Sequence, residues 1–197
     1  MINQQEYNEL YEKYGKVASW TIWSQPTDRP KSNMGRLDVF DDPELLSKIN
    51  TGFVFVALNG SGVHDGYFDP NKAWNNFHSD NPHGHDYKLR FALNDTPFWG
   101  SYITDIIKYF PEVDSGKVVK YLKNNQDIIA KNIEVFKDEL RLLGGDSVIV
   151  ALGDSSYNII TNNMQGNYRI CKIKHYSYLM SKEKYREEVL ETLSKFL

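Results

Sequence analysis

Cysteine is nearly absent from this chain: Cys171 is the only one in 197 residues. That excludes a disulfide framework and a cysteine-rich zinc site. Cys171 lies in an alternating, strand-like segment and reads as a buried structural thiol. Long apolar runs are missing too, with none near the roughly 18 residues that a membrane-spanning helix needs. The opening Met1-Ile2-Asn3-Gln4-Gln5 is polar, so no secretory signal is expected and the cytoplasm is the expected compartment. Positive charge is not in excess. At a formal net charge of −3 the chain has no global basic field toward nucleic acid, which leaves only local basic patches for that role. Common catalytic signatures are absent as well. There is no Walker-type phosphate loop, and Gly60-Ser61-Gly62 is not a dinucleotide fingerprint. Gly153-Asp154-Ser155-Ser156-Tyr157 lacks the second glycine of a nucleophile elbow. His78, His83, His85 and Asp86 crowd one stretch, but Asn81-Pro82 marks it as a polar loop, and no metal is expected there.

What the chain does contain is strands that alternate with helices. Phe53-Val54-Phe55-Val56-Ala57-Leu58 is an unbroken apolar run that stops at Asn59-Gly60-Ser61-Gly62. A run of this kind reads as a strand buried on both faces of a parallel sheet. Residues just past the carboxyl end of such a strand lie where open α/β sheets bind ligands, which singles out Asn59. Further strands are expected at Gly100–Lys108, Ser147–Leu152 and Tyr168–His175. Helices are expected over residues 3–14, from Asp41 to Ile49, over Asn71–Phe77 and Tyr87–Leu93, and over Ser115–Leu143 with an interruption near Asn124-Asn125. Two more are expected from Ser155 and over Lys182–Phe196. Ser24–Asp38, with Pro26, Pro30 and Gly35, reads as a loop carrying Arg29, Lys31 and Arg36. This alternation implies a mainly parallel sheet covered on both faces. Aromatic residues make up 14% of the chain, with 13 Tyr, and the default place for them is the core.

Four segments, in this order, resemble the uracil-DNA glycosylase superfamily. Val56-Ala57-Leu58-Asn59-Gly60-Ser61-Gly62 is similar to the family's strand-then-loop motif, Gly-x-Asp/Glu/Asn-Pro-Gly, and the mismatch-specific branch has Asn where Asn59 stands. Tyr102-Ile103-Thr104-Asp105-Ile106-Ile107-Lys108 looks like the strand whose Asn reads the flipped base. Val148-Ile149-Val150-Ala151-Leu152-Gly153 matches the apolar strand ending in Leu-Gly. His175-Tyr176-Ser177-Tyr178-Leu179-Met180-Ser181 is similar to His-Pro-Ser-Pro-Leu-Ser. The chain departs from these patterns in four places. Gly60 and Tyr176 replace the motif prolines, Asp105 stands where an Asn reader is expected, and Tyr178 is bulkier than the family residue.

The resemblance implies one domain over residues 1–197. Its fold would be α/β, a three-layer α/β/α sandwich with a central four-stranded parallel sheet. The implied activity is cleavage of the N-glycosidic bond of a damaged or mismatched base flipped out of DNA, with no metal or cofactor. DNA is the implied partner and the chain is expected to be a monomer. Asn59 and His175 are the implied catalytic residues: Asn59 handles the attacking water and His175 stabilises the departing base. Asp105 is implied to read the base, and Phe68, Tyr67 or Trp74 to stack on it. Ser61, Ser177, Leu179, Ser181, Lys174 and Lys182 are implied to meet DNA, with Leu179 filling the gap left by the flipped base. An ionised Asp105 only accepts hydrogen bonds, so it is expected to repel the O4 of uracil and to prefer a base edge that presents donors. The alternative is a non-catalytic protein of the same fold that binds a nucleobase, a nucleotide or a protein partner.

Overall fold

The computed structural model describes residues 2–60, 72–108, 110, 112–164 and 166–197. The helices are α1 (Gln4–Tyr14), α2 (Leu45–Lys48), α3 (Tyr87–Leu93), α4 (Ser115–Lys123), α5 (Gln126–Leu142), α6 (Asp154–Asn163) and α7 (Lys182–Leu193). The strands are β1 (Ala18–Trp20), β2 (Asn50–Asn59), β3 (Ser101–Ile107), β4 (Val148–Leu152) and β5 (Ile170–Ile173). Short 3-10 turns lie at Asp38–Phe40 and Ser194–Phe196. Local chemistry accounts for several helix starts. Asn3 and Glu6 form a reciprocal capping box on α1, Asp114 caps α4, and Ser181 caps α7.

The sheet is mixed, with five strands in the order β1-β3-β2-β4-β5. The pairings β3–β2, β2–β4 and β4–β5 are parallel, which yields the four parallel strands that the sequence implied. The fifth strand, β1, corrects the count and pairs antiparallel to β3. It has three residues, too few to show a period of two, and it exists only because Ser101–Thr104 offers it a partner edge.

Alternation along the strands explains how each face of the sheet is covered. Val54, Val56, Tyr102, Ile106, Ile149 and Ala151 join one apolar cluster with residues of α1, α4, α5 and α6. Phe53, Phe55, Ala57, Ile103, Val150 and Ile173 join a second cluster with residues of α3 and α7. The α/β class and the helices on both faces agree with the sequence reading. Among the described residues no helix is long and apolar enough to cross a membrane.

Two other local expectations change, and one holds. Residues 72–77 are not helical, and Trp74 and Phe77 sit at φ of 60° and 65°. The Trp74 N–H is instead taken by the Gly15 carbonyl, and the Ser19 hydroxyl donates to the Trp74 carbonyl. The helix expected from Asp41 to Ile49 shrinks to α2, one turn long. The predicted break at Asn124-Asn125 is where α4 ends and α5 begins.

Candidate functional site

Because β3, β2, β4 and β5 run parallel, their carboxyl ends share one edge of the sheet. This edge gathers residues that lie far apart in the chain. Asn59 ends β2. Its side-chain amide donates to the carbonyls of Gly60 (3.1 Å), Phe110 (2.9 Å) and Glu112 (2.8 Å). Two amide hydrogens shared among three carbonyls are fully committed, and they tie the segment after β3 to the end of β2. Any contact Asn59 makes with a substrate therefore goes through Oδ1, its acceptor.

Asp105 faces the α3 and α7 side, in register with Ala57 of β2 and two residues before the Asn59 level. It is buried, and its Oδ2 accepts a 2.8 Å bond from Nδ2 of Asn76. Oδ1 is buried with no hydrogen-bond partner among the described residues. A Cβ added to Gly60 would lie 3.5 Å from Oδ2, so the chain leaving Asn59 passes directly beside this carboxyl. Burial pushes the Asp105 carboxyl up to about 7. The Asn76 bond and Lys108 oppose the rise, and Glu139 adds to it. Burial thus works against the ionised form that the sequence reading reasoned from.

Lys108 does not face that carboxyl. Its Nζ lies 2.7 Å from Glu139 Oε2 and donates to Thr104 Oγ1 (3.0 Å) and to the main-chain carbonyl of Asp105 (2.7 Å). Tyr102 and Thr104 each donate to Glu139 Oε1 at 2.9 Å. This buried polar cluster locks the end of β3 to α5.

His175 follows β5. The Ser177 main-chain N–H donates to its Nδ1 at 3.2 Å, and the Ser177 hydroxyl lies 2.8 Å from the same nitrogen. A backbone N–H can only donate, so Nδ1 is the acceptor and the ring proton sits on Nε2. Burial pushes the imidazole down to about 4, with His85 adding to the effect, so the ring is neutral at physiological pH. Its centroid is 4.0 Å from that of Tyr176. Burial raises the Tyr176 phenol well above its usual range, and the charges of Asp86 and Asp105 raise it further. Tyr176 packs with the apolar cluster on the α3 and α7 face.

Helix α3 carries the loops that frame this edge. Asp86, just before it, is buried, and burial pushes its carboxyl up to about 7. Lys88 donates to the Tyr178 carbonyl at 2.9 Å and holds the loop that follows His175. Arg90 donates to the carbonyls of Ser24 (2.7 Å), Pro30 (2.7 Å) and Ser32 (2.9 Å), folding the Ser24–Asp38 loop onto the body. At the tip of the His175 loop, Leu179 is 98% exposed.

The structure therefore brings Asn59, Asp105 and the His175–Ser177 pair to one edge of the sheet, with Tyr176 against the His175 ring. Trp74 is turned elsewhere. It is buried among Tyr7, Tyr11 and Trp20 on the α1 side, where its indole N–H donates to the Tyr7 hydroxyl. Among the described residues, the aromatic side chains packed on the α3 and α7 face include Phe77, Tyr87, Tyr176 and Tyr185. Ser61, Tyr67 and Phe68 lie outside the described residues. Lys174 pairs with Glu188 and lies over the Tyr178 ring. Lys182 pairs with Glu183 and lies 3.7 Å from the Phe91 ring centroid. Ser181 is spent on capping α7. A cleft of about 580 Å³ borders His175, Lys174 and Tyr178 and follows the outer edge of β5 toward Asp154 and Glu188. Neither Asn59 nor Asp105 lines it.

Sequence reasoning missed Asn76, Lys88, Arg90 and Lys108. Asn76 sits in the stretch expected to be helical, and nothing in its neighbourhood marks it as the partner of Asp105. No known protein family, curated protein or solved structure matches this chain.

Proposed function

We propose that this chain is a divergent DNA-base glycosylase with a uracil-DNA glycosylase-like, three-layer α/β/α fold. The observation that carries the reading is the His175–Ser177 pair, a neutral imidazole with its proton on Nε2, at the same sheet edge as Asn59 and Asp105. Hydrolysis of an N-glycosidic bond leaves the bonding electron pair on the departing base while positive charge develops on the sugar. The Nε2–H of His175 supplies a donor to the charged base. Oδ1 of Asn59 is suited to orient the water that adds to the sugar carbon. That water gives its hydroxyl to the sugar and its proton to the base. Phe77 or Tyr176 takes the stacking role. The exposed Leu179 is the wedge that replaces the flipped base.

The test is base release from single- and double-stranded oligonucleotides carrying uracil, hypoxanthine, xanthine or a mismatch. Release that His175→Ala abolishes supports the proposal. No release from any substrate at high enzyme overturns it.

One set of observations favours a second reading, a nucleobase- or nucleotide-binding protein without catalysis. Both amide hydrogens of Asn59 are tied to carbonyls, and Lys174 and Lys182 are paired with glutamates. Fluorescence titration separates the two. DNA affinity that falls steeply with salt favours the glycosylase, and salt-insensitive binding of a free base favours the second.

A further inference from the structure

We infer that Asp105 is a specificity-determining residue that is held as a carboxylic acid, so that its Oδ1–H donates to a ring carbonyl of the bound base and inverts to an acceptor when the acid ionises. The inference rests on the base-binding reading of this edge. It does not require that the base be cleaved.

The geometry fixes where the proton sits. Asn76 Nδ2 donates to Oδ2, and an amide N–H meets only a lone pair, so a proton on this carboxyl occupies Oδ1. Oδ1 is buried and has no partner among the described residues. A buried O–H that lacks an acceptor waits for a ligand to supply one. The charged and titratable neighbours do not favour an anion here. Lys108, just past the end of the same strand, is turned to Glu139, Thr104 Oγ1 and the Asp105 main-chain carbonyl. Glu139, from α5 on the other face of the sheet, adds negative potential. From the β5–α7 loop comes Tyr176, which stays a neutral phenol, and Asp86 at the start of α3 acts on the same Tyr176. The segment ahead of α3 contributes Asn76, which is neutral. A buried carboxylate without a counter-ion in contact is costly, and the neutral acid avoids that cost. The raised titration of Asp105 agrees with this arrangement.

The chemistry of selection follows. As an acid, Asp105 offers a donor to an oxo base such as uracil or hypoxanthine, and it meets the amino group of cytosine or adenine donor against donor. As a carboxylate it accepts from the amino bases and repels the oxo ones. The edge therefore reads opposite bases on the two sides of its titration.

The experiment is a titration of the intact protein with free uracil, hypoxanthine, cytosine and adenine at pH 6 and pH 8, followed by tryptophan fluorescence. At pH 6 the oxo bases are expected to bind about tenfold more tightly than the amino bases, the factor one hydrogen bond supplies, and at pH 8 the ratio shrinks. Asp105→Asn presents an amide donor in the same place, so it keeps the preference and loses its pH dependence. Infrared spectra of the wild-type chain at pH 6 give a second measurement that does not depend on the variant's folding: a protonated-carboxyl band that disappears as pH is raised through 7 supports the inference. A preference for amino bases at pH 6, a wild-type preference unmoved by pH, no binding of any base, or no such band overturns it. Oxo-base binding without base release removes the glycosylase and leaves the inference standing. Release of cytosine or adenine at pH 6 does the reverse.

Discussion

The main-chain N–H of Ser177 donates to Nδ1 of His175, and this one bond decides which ring nitrogen carries the proton. The consequence is measurable without any substrate. Nitrogen-15 spectra should show a single tautomer protonated at Nε2 and titrating near pH 4, so that nothing changes at this ring between pH 5 and 8. Ser177→Ala keeps the N–H and should keep the tautomer. Ser177→Pro removes it and should restore a mixture with a higher pKa. A ring that titrates near 6.5 in the wild type would contradict the assignment.

Asp105 and Asp86 make stability depend on pH in a definite direction. Both carboxyls are harder to ionise in the folded chain than in the unfolded one, each reaching about 7. Their contribution is therefore full below about pH 4 and is lost as pH rises through about 7. Asp105→Asn should raise Tm at pH 8 relative to wild type by an amount equivalent to about 2–4 kcal/mol and should make little difference at pH 4. Thermal melts across this range check it, and an equal effect at both pH values would count against it.

Lys108 and Glu139 are 3% and 0% exposed at their side chains and form a buried ion pair. Removing one partner leaves a buried charge alone. Lys108→Met should cost about 3–5 kcal/mol in denaturant unfolding, and the double variant Lys108→Met with Glu139→Leu should recover much of that loss. A double variant no more stable than the single one would show that the Tyr102 and Thr104 hydroxyls depend on Glu139 for more than its charge.

Asn59 is tested by two substitutions with ordered outcomes. Asn59→Ala loses the donors to Phe110 and Glu112 and should cost about 1–2 kcal/mol. Asn59→Asp places a carboxylate against three carbonyl oxygens and should cost more than the alanine. If the aspartate variant is the more stable of the two, Asn59 does not hold the loop in the way described.

How much of this was legible in the sequence follows from the kind of force involved. Asp105 and His175 stood out only through the resemblance, whereas the parallel core, the helices on both faces and the place of Asn59 at a strand end follow from apolar runs and alternation, which are local patterns. The break at Asn124-Asn125 was legible for the same reason. Strand β1 was not, because three residues cannot show a period and only β3 makes them a strand. The stretch at 72–77 misled because Trp74 and Phe77 hold left-handed backbone angles that tertiary contacts stabilise. Glu139 hid on the apolar face of α5 between Phe136 and Leu140, and its place there makes sense only with Lys108 opposite. Asn76, Lys88 and Arg90 are buried or half-buried polar groups whose partners lie between 29 and 90 residues away in sequence, so no neighbouring residue announced them.

Helix α3 is seven residues long, yet two loops hang from it: Lys88 holds Tyr178, and Arg90 holds the Ser24–Ser32 arc. Loops that share one mount do not loosen one at a time. They open as a single cooperative unit, and whatever steadies one of them slows hydrogen exchange in the other.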